Sequence, residues 1–268
     1  MLNILYRFNS RLNKRIVMNN EIEKAGKPYL FRYRSDNENT LDEIENSYVY
    51  FANRESLNDP LDSSPDLIKF IKEKSTLESY YEFIKVQNQS NEYKQYLERN
   101  YSPDKLGALI SETIPKYINS RGIACFSTIP YINMPIWTNY ANNHKGICLQ
   151  FNLEYDETFF NGMCLVKYLK ELNHIEFTPS IDEHKINDIF FRKDINWSYE
   201  KELRLLKDKI GKINFNRKSL RNIVCGYRSD DEYIEKIITI CNKNYKDIGI
   251  YKMEKPEKQN NASLIRIN

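Results

Sequence analysis

Several absences narrow this sequence before any motif is read. Glycine is scarce, with eight in 268 residues, and neither a repeat nor a long flexible linker appears. Histidine occurs three times and never in an H-E-x-x-H spacing, so a metal-hydrolase helix is not supported. The five cysteines (Cys125, Cys148, Cys164, Cys225 and Cys241) are odd in number and include no C-x-x-C pair. Four of them sit in apolar runs where a thiol behaves as a small core hydrophobe. That excludes a disulfide framework and a zinc site. The longest apolar runs are far too short to span a bilayer. The N-terminus lacks the apolar core of a signal peptide. The expectation is a cytoplasmic protein that does not enter a membrane.

Charge of one sign is also missing. Forty Lys and Arg against 37 Asp and Glu leave a net +3, which does not announce a nucleic-acid-binding face. The local exception is the start, where Arg7, Arg11, Lys14 and Arg15 precede the first acid, Glu21. That run suits a nucleic-acid or membrane-touching arm, or a solvated helix face. Hydrophobic residues make up 41% and charged residues 29%, the balance of an ordinary globular chain.

What is present reads as α+β. Residues 1–28 form an amphipathic lead-in, and 29–268 form one domain with a helical insertion at about 66–120. Tyr29 to Arg34 alternates as a strand, with Phe31 and Tyr33 on one face and Arg32 and Arg34 on the other. Thr40-Leu-Asp-Glu43 matches a capping box that opens a short helix. Ser47 to Ala52 is a second strand, Asn53 to Pro65 a polar loop, and Ser102-Pro103 the cap of a helix running to about Ser120. Strands follow at Arg121–Thr128, Gly146–Phe151, Met163–Leu169 and Tyr199–Leu206, with a helix at 181–192. The chain ends in a strand (Asn222–Tyr227), a helix (Asp230–Lys243) and two more strands (Ile248–Met253, Leu264–Ile267). Without a regular βαβ rhythm, the expected sheet is mixed and mostly antiparallel.

Four segments spend polar residues inside apolar patterning. In the first strand, Arg32 and Arg34 would grip a phosphate bidentately, or face water from an edge strand. Leu57-Asn58-Asp59-Pro60-Leu61-Asp62 is a rigid Asx-proline turn that would also bind a cation or a ribose hydroxyl. Ser127 and Thr128 put hydroxyls at a strand mouth. Beyond them, Trp137 and Tyr140 share a helix face that would stack on a base or pack on the core. His144, close to Gly146, reads as a nucleophile or metal ligand, or as a hydrogen-bonded structural residue. In the last segment, Trp197 to Arg204, strand periodicity sets Glu200, Glu202 and Arg204 on one side. Two close carboxylates there would repel, which suits acid/base work or cation stabilisation, with Arg204 relieving the strain.

In order and spacing, several pieces carry a resemblance. They are Tyr-Leu-Phe-Arg-Tyr-Arg-Ser (29–35), Val-Tyr-Phe-Ala (49–52), Leu-Asn-Asp-Pro-Leu-Asp (57–62) and Ala-Cys-Phe-Ser (124–127). Trp-x2-Tyr-Ala-x2-His-x-Gly (137–146) and Trp-Ser-Tyr-Glu-Lys-Glu-Leu-Arg (197–204) complete the set. Together they resemble an uncharacterised bacterial family, domain of unknown function twenty-nine seventy-one, over roughly residues 29–240. Leu57 and Leu61 stand where members of that family usually carry Phe. More distantly, the order of polar segments resembles the NAD-binding layout of ADP-ribosyltransferases. That second resemblance implies NAD as substrate and a split central sheet. It implies Arg34 or Arg32 on pyrophosphate or ribose, and Tyr33, Thr128, His144, Asn58 and Asp59 lining the NAD site. It further implies Glu202 holding a ribose hydroxyl with Ser127 behind it, Glu200 orienting the acceptor, and Trp137 or Tyr140 stacked on nicotinamide.

The acceptor on this reading is an intracellular protein or nucleic acid, in a toxin or phage-defence role and with a regulatory partner. A second reading is a nuclease or phosphodiesterase with a divalent cation on Asp59, Asp62, Glu200 and Glu202, and His144 as base. A third is a nucleotide-binding sensor or interaction module without catalysis.

Overall fold

Strands form where β-branched and aromatic residues alternate, and the computed structural model places them close to the sequence expectation. It describes residues 28–71, 91–100, 102–178, 186–255 and 263–268. The lead-in (but for residue 28), the middle of the 66–120 insertion and the start of the 181–192 helix lie outside the described residues. In chain order the strands are β1 (Tyr29–Arg34), β2 (Tyr48–Phe51), β3 (Ile68–Phe70), β4 (Gly122–Ser127), β5 (Ile147–Asn152), β6 (Cys164–Leu165) and β7 (Lys167–Leu169). They continue with β8 (Ile175–Phe177), β9 (Arg192–Asp194), β10 (Glu202–Lys207), β11 (Gly211–Asn214), β12 (Leu220–Cys225), β13 (Gly249–Met253) and β14 (Leu264–Arg266). The helices are α1 (Glu38–Glu45), α2 (Asn91–Asn100), α3 (Pro103–Ser120), α4 (Met134–Tyr140), α5 (Glu157–Phe160) and α6 (Asp231–Asn244).

Two compact units emerge. The larger runs from residue 28 to Ala52, then Gly122–Val166 and Asn196–Asn268, and the smaller takes Asn53–Arg121 and Lys167–Ile195. The larger holds an eight-stranded sheet in the order β14-β13-β12-β5-β1-β4-β10-β6. Within it only β12 and β13 run parallel, joined through α6, so the expected α+β class with a mixed, mostly antiparallel sheet holds. A two-stranded ladder of β2 and β11 accompanies it. The smaller unit contains α2, α3 and two short parallel ladders, β3 with β8 and β7 with β9.

Both faces of the large sheet are apolar. One buries Leu30, Phe126, Leu149, Phe151, Leu203, Leu205 and Ile223 against Leu41 and Ile44 of α1 and Ile234, Ile237 and Cys241 of α6. The opposite face buries Phe31, Tyr33, Cys148, Val224 and Met253 under Ile136 and Trp137 of α4. β1 is therefore an interior strand, and the edge-strand reading of Arg32 and Arg34 is corrected: with β5 and β4 on either side, neither arginine stands on a free edge.

Caps follow local hydrogen-bonding chemistry. Ser102 accepts from the Lys105 N–H at 3.2 Å, as expected. At α1 the cap is Asn37, which accepts from Thr40 N at 3.0 Å. Thr40 lies inside the helix, its hydroxyl donating to Ser35 O at 2.7 Å, so the cap falls three residues earlier than expected and the Thr40–Glu43 capping box does not form, Glu43 pairing with Arg32 and Arg34 instead. An Asx side chain three residues upstream competes for the same N–H and wins.

Candidate functional site

The site is built where β4 ends and β10 begins. Ser127 and Glu202 are direct cross-strand partners, and so are Ser127 and Phe31, which puts all three on the α4 side of the sheet. The expected strand from Tyr199 is shorter than the alternation suggested. Ile195–Glu200 is a 3-10 helix, Lys201 turns left-handed at φ 45°, and β10 starts at Glu202. Glu200 therefore reaches its place by a turn rather than by strand alternation.

Hydroxyls hold that turn. Ser127 Oγ donates to the Glu200 carbonyl at 2.7 Å and accepts from Ile129 N at 3.1 Å. The Thr128 N–H and hydroxyl both donate to the Lys201 carbonyl, at 3.1 and 3.2 Å. Each bond contributes on the order of 1 kcal/mol net, and together they exceed the roughly 1–2 kcal/mol a non-glycine residue costs in the left-handed region. Ser127, expected behind the Glu202 carboxylate, is thus found on the Glu200 backbone.

The two carboxylates are nearly buried, Glu200 at 5% and Glu202 at 4% exposure. Tyr140, on α4, donates its hydroxyl to Glu200 Oε1 at 2.5 Å. Arg204, fully buried two residues beyond Glu202, donates Nε to Glu202 Oε1 at 2.6 Å and Nη2 to Oε2 at 3.0 Å, a two-point fork. Burial pushes the Tyr140 phenol well above its ordinary range, and the neighbouring Glu200 and Glu202 charges push it further. Tyr140 therefore holds its proton and donates a hydrogen bond to Glu200. Arg204 also sits opposite Cys125 on β4 and Cys164 on β6, so two partly exposed thiols flank it.

Three further expected residues on this face are structural. Trp137 is fully buried, donates Nε1 to Tyr131 O at 2.9 Å and meets Tyr33 edge-on at 5.2 Å. Withdrawing a ring of that size from water contributes about 4–6 kcal/mol, and no face is left to stack on nicotinamide. That expectation is corrected, and Tyr33 shares its fate. His144 is stacked on Trp137 at 6.0 Å and packed on Tyr227 at 4.8 Å. Burial and then the Arg228 charge lower its pKa, so it stays neutral. It closes a run of left-handed residues, Asn142, Asn143 and His144, in the types that tolerate this conformation best. A Cβ at Gly226 would lie 2.0 Å from the His144 carbonyl oxygen, and one at Gly146 would lie 2.1 Å from that of Arg34. The Trp-x2-Tyr-Ala-x2-His-x-Gly pattern is mostly a folding motif from which Tyr140 projects.

Arg32 and Arg34 do not join the glutamates. Their cross-strand partners Leu149 and Ile147 belong to the α1–α6 face, on the far side of the sheet. There the buried Glu43 of α1 pairs with both, Oε1 with Arg32 Nε at 3.0 Å and Oε2 with Arg34 Nε at 2.8 Å. Arg32 also donates to Cys125 O at 3.2 Å and Tyr50 O at 3.3 Å. A groove between α1 and α6 is lined by Glu38, Asp42, Glu45, Glu232, Glu235 and Lys236, with Asp42, Glu45 and Glu232 paired to Lys212, Lys243 and Lys236. The phosphate-gripping expectation for the arginines is corrected: a single glutamate ties them into the core.

Asn58 and Asp59 belong to the smaller unit. Asp59 Oδ1 accepts from Leu61 N at 2.9 Å, the Asx turn that the sequence suggested. Asp62 is buried with Lys193, 3.7 Å from Oδ2 to Nζ, and accepts from Ser63 Oγ at 3.0 Å.

The role of Glu43 and one partnership escaped the sequence reading. Glu43 had a signal, an acid among Leu41 and Ile44 on the buried stripe of α1. The partnership of Tyr140 with Glu200 had none, because sixty residues separate them. Among the described residues no helix is long and apolar enough to cross a membrane. No curated protein and no solved structure matches the chain. Residues 136–205 match a family model described as a protein of unknown function, DUF2971. That stretch contains both the Trp137–Gly146 and the Trp197–Arg204 motifs and is shorter than the roughly 29–240 expected. Over that stretch the chain is similar to the DUF2971 family, which supports the resemblance read from the sequence.

Proposed function

We propose that the α4 side of the sheet cleaves the nicotinamide–ribose bond of NAD, in the manner of ADP-ribosyltransferases, with Glu200 at its centre. The observation that carries this reading is the pairing of two adjacent buried glutamates with different partners. Glu202 takes the two-point Arg204 fork, and Glu200 takes the Tyr140 hydroxyl. Environments that separate two carboxylates in this way separate their roles. An anchored anion is what an oxocarbenium-like transition state needs as nicotinamide departs.

On this reading Glu200 replaces Glu202 as the residue facing the ribose. Tyr140 positions it, and Ser127 with Thr128 fixes its backbone. Lys201, exposed between the two glutamates, is the cation available to a phosphate in place of Arg34. The acceptor is a protein or nucleic acid of the cell, which fits a toxin or defence role.

Nicotinamide release from NAD, followed by mass spectrometry for the wild type and Glu200→Gln, tests the reading. Release lost in the variant and indifferent to chelator supports it. No release from the wild type, with or without cell lysate, removes it, and chelator-sensitive cleavage of nucleic acid would put the metal-dependent reading in its place.

A further inference from the structure

The sheet face under α4 carries a second feature, away from the glutamates. The residue rows across it follow from the register. Phe31 stands opposite Gln150, Gln150 opposite Asn222, and Asn222 beside Gly249. One step along, Tyr33, Cys148, Val224, Tyr251 and Arg266 form the next row. Cross-strand partners share a face, so Gln150, Asn222, Tyr251 and Arg266 lie on one surface with Tyr29. The seven-residue α4 packs on part of this face. Tyr29 is 37% exposed, Gln150, Asn222, Tyr131 and Tyr251 are half-buried, and Arg266 is exposed.

The polar centre of that surface is a pair of amides. Asn222 Nδ2 donates to Gln150 Oε1 at 2.5 Å. The bond uses one group of each amide and leaves a donor on Gln150 and an acceptor on Asn222, the latter lying over Gly249. Exchanging O and N in both side chains leaves the same pair. The strand beside them carries no side chain at Gly249. A Cβ at Gly249 would lie 2.4 Å from Asn222 Oδ1 and 2.7 Å from the Tyr251 ring, so glycine lets the ring and the amide close over the strand. Tyr131 meets Phe31 edge-on at 6.0 Å and completes the aromatic rim. Arg266, across from Tyr251, brings a cation to the margin.

We infer that this surface is a nucleobase-binding site. An adjacent donor and acceptor match the hydrogen-bonding edge of a base, partly exposed tyrosines offer stacking faces, and Arg266 suits the attached phosphate. The inference does not rest on the NAD-cleavage reading, because none of these residues belongs to the Glu200 site. The base comes either from a free nucleotide or from a single strand.

Binding of the full-length protein to the four nucleoside monophosphates by calorimetry, and to labelled single-stranded homopolymers by fluorescence anisotropy, separates those sources. Saturable binding of either is expected. Gln150→Leu, which keeps the size and removes the amide, should weaken it roughly 5- to 150-fold, and Tyr251→Ala should do the same. Tyr251→Phe should bind as the wild type does, because the ring stacks without its hydroxyl. Arg266→Glu, at an exposed position, should weaken binding without changing the melting temperature, which keeps the test decisive if the core variants fold poorly. Nucleotide and strand binding absent from the wild type, or unmoved by Gln150→Leu and Arg266→Glu in folded protein, overturns the site.

Discussion

Tyr140 reaches Glu200 across sixty residues and places its hydroxyl 2.5 Å from the carboxylate, so the helix that covers this sheet face is also the orienting arm of the candidate site. The helix that carries Tyr140 is anchored by the fully buried Trp137, and the turn that carries Glu200 is anchored by Ser127. Two rigid supports therefore fix one hydrogen bond, and that geometry governs what substitutions should do.

Tyr140→Phe keeps the ring and removes the bond. The expected outcome is a loss of about 1–2 kcal/mol in stability, since a charge-assisted bond to a buried carboxylate goes unmade. Nicotinamide release should fall at least about tenfold, with KM for NAD little changed, because orientation of Glu200 is lost rather than binding area. Steady-state kinetics and a urea melt on the same preparation separate the two effects.

Arg204→Met leaves the Glu202 carboxylate without its fork in the interior. Removing one partner of a buried pair costs about 3–5 kcal/mol, whereas replacing both is far milder. Arg204→Met should therefore unfold at much lower denaturant than the double change Glu202→Gln with Arg204→Met. Equal midpoints would mean that the pair contributes little.

Gly226→Ala should be among the most damaging single changes away from the site. The added methyl would meet the backbone oxygen of His144 at 2.0 Å, and backbone yields less readily than a side chain. A loss of about 3 kcal/mol or more is expected, read as a lowered thermal midpoint. Ala at Gly162, whose Cβ would meet nothing within 4 Å, tests φ alone, since that residue sits at φ 85°.

Alkaline pH should destabilise the fold early. Burial raises the thiols of Cys225 and Cys241 from an ordinary 9.0 to about 12, and the phenol of Tyr245 from 10.0 to about 12. The Tyr33 and Tyr140 phenols also move upward. Because each folded-state value lies above the unfolded one, the unfolded chain loses its protons first. The contribution of these groups is whole below 9.0 and is lost as pH rises from there through about 12, at up to about 1.4 kcal/mol per pH unit for each group. Urea midpoints measured at about pH 8 and about pH 10.5 should fall steeply between the two.

Much of the architecture was legible in one dimension. The alternation in Tyr29–Arg34, the apolar run in Ile147–Asn152, the Ser102-Pro103 start of α3 and the strand–helix–strand–strand ending all stand in the sequence because local periodicity and capping chemistry dictate them. The same patterning also marked Ser127, Tyr140, Glu200, Glu202 and Arg204 as polar residues out of place among apolar ones. What the sequence could not contain was which face each would share. A strand's two faces are equivalent until other elements cover them, and here α1 brought Glu43 to Arg32 and Arg34 on one side while α4 brought Tyr140 to Glu200 on the other. The left-handed turn at Lys201 is likewise a tertiary decision, since hydrogen bonds from Ser127 and Thr128, more than seventy residues away, offset its strain. Local chemistry determined the elements, and long-range packing decided which charges would meet.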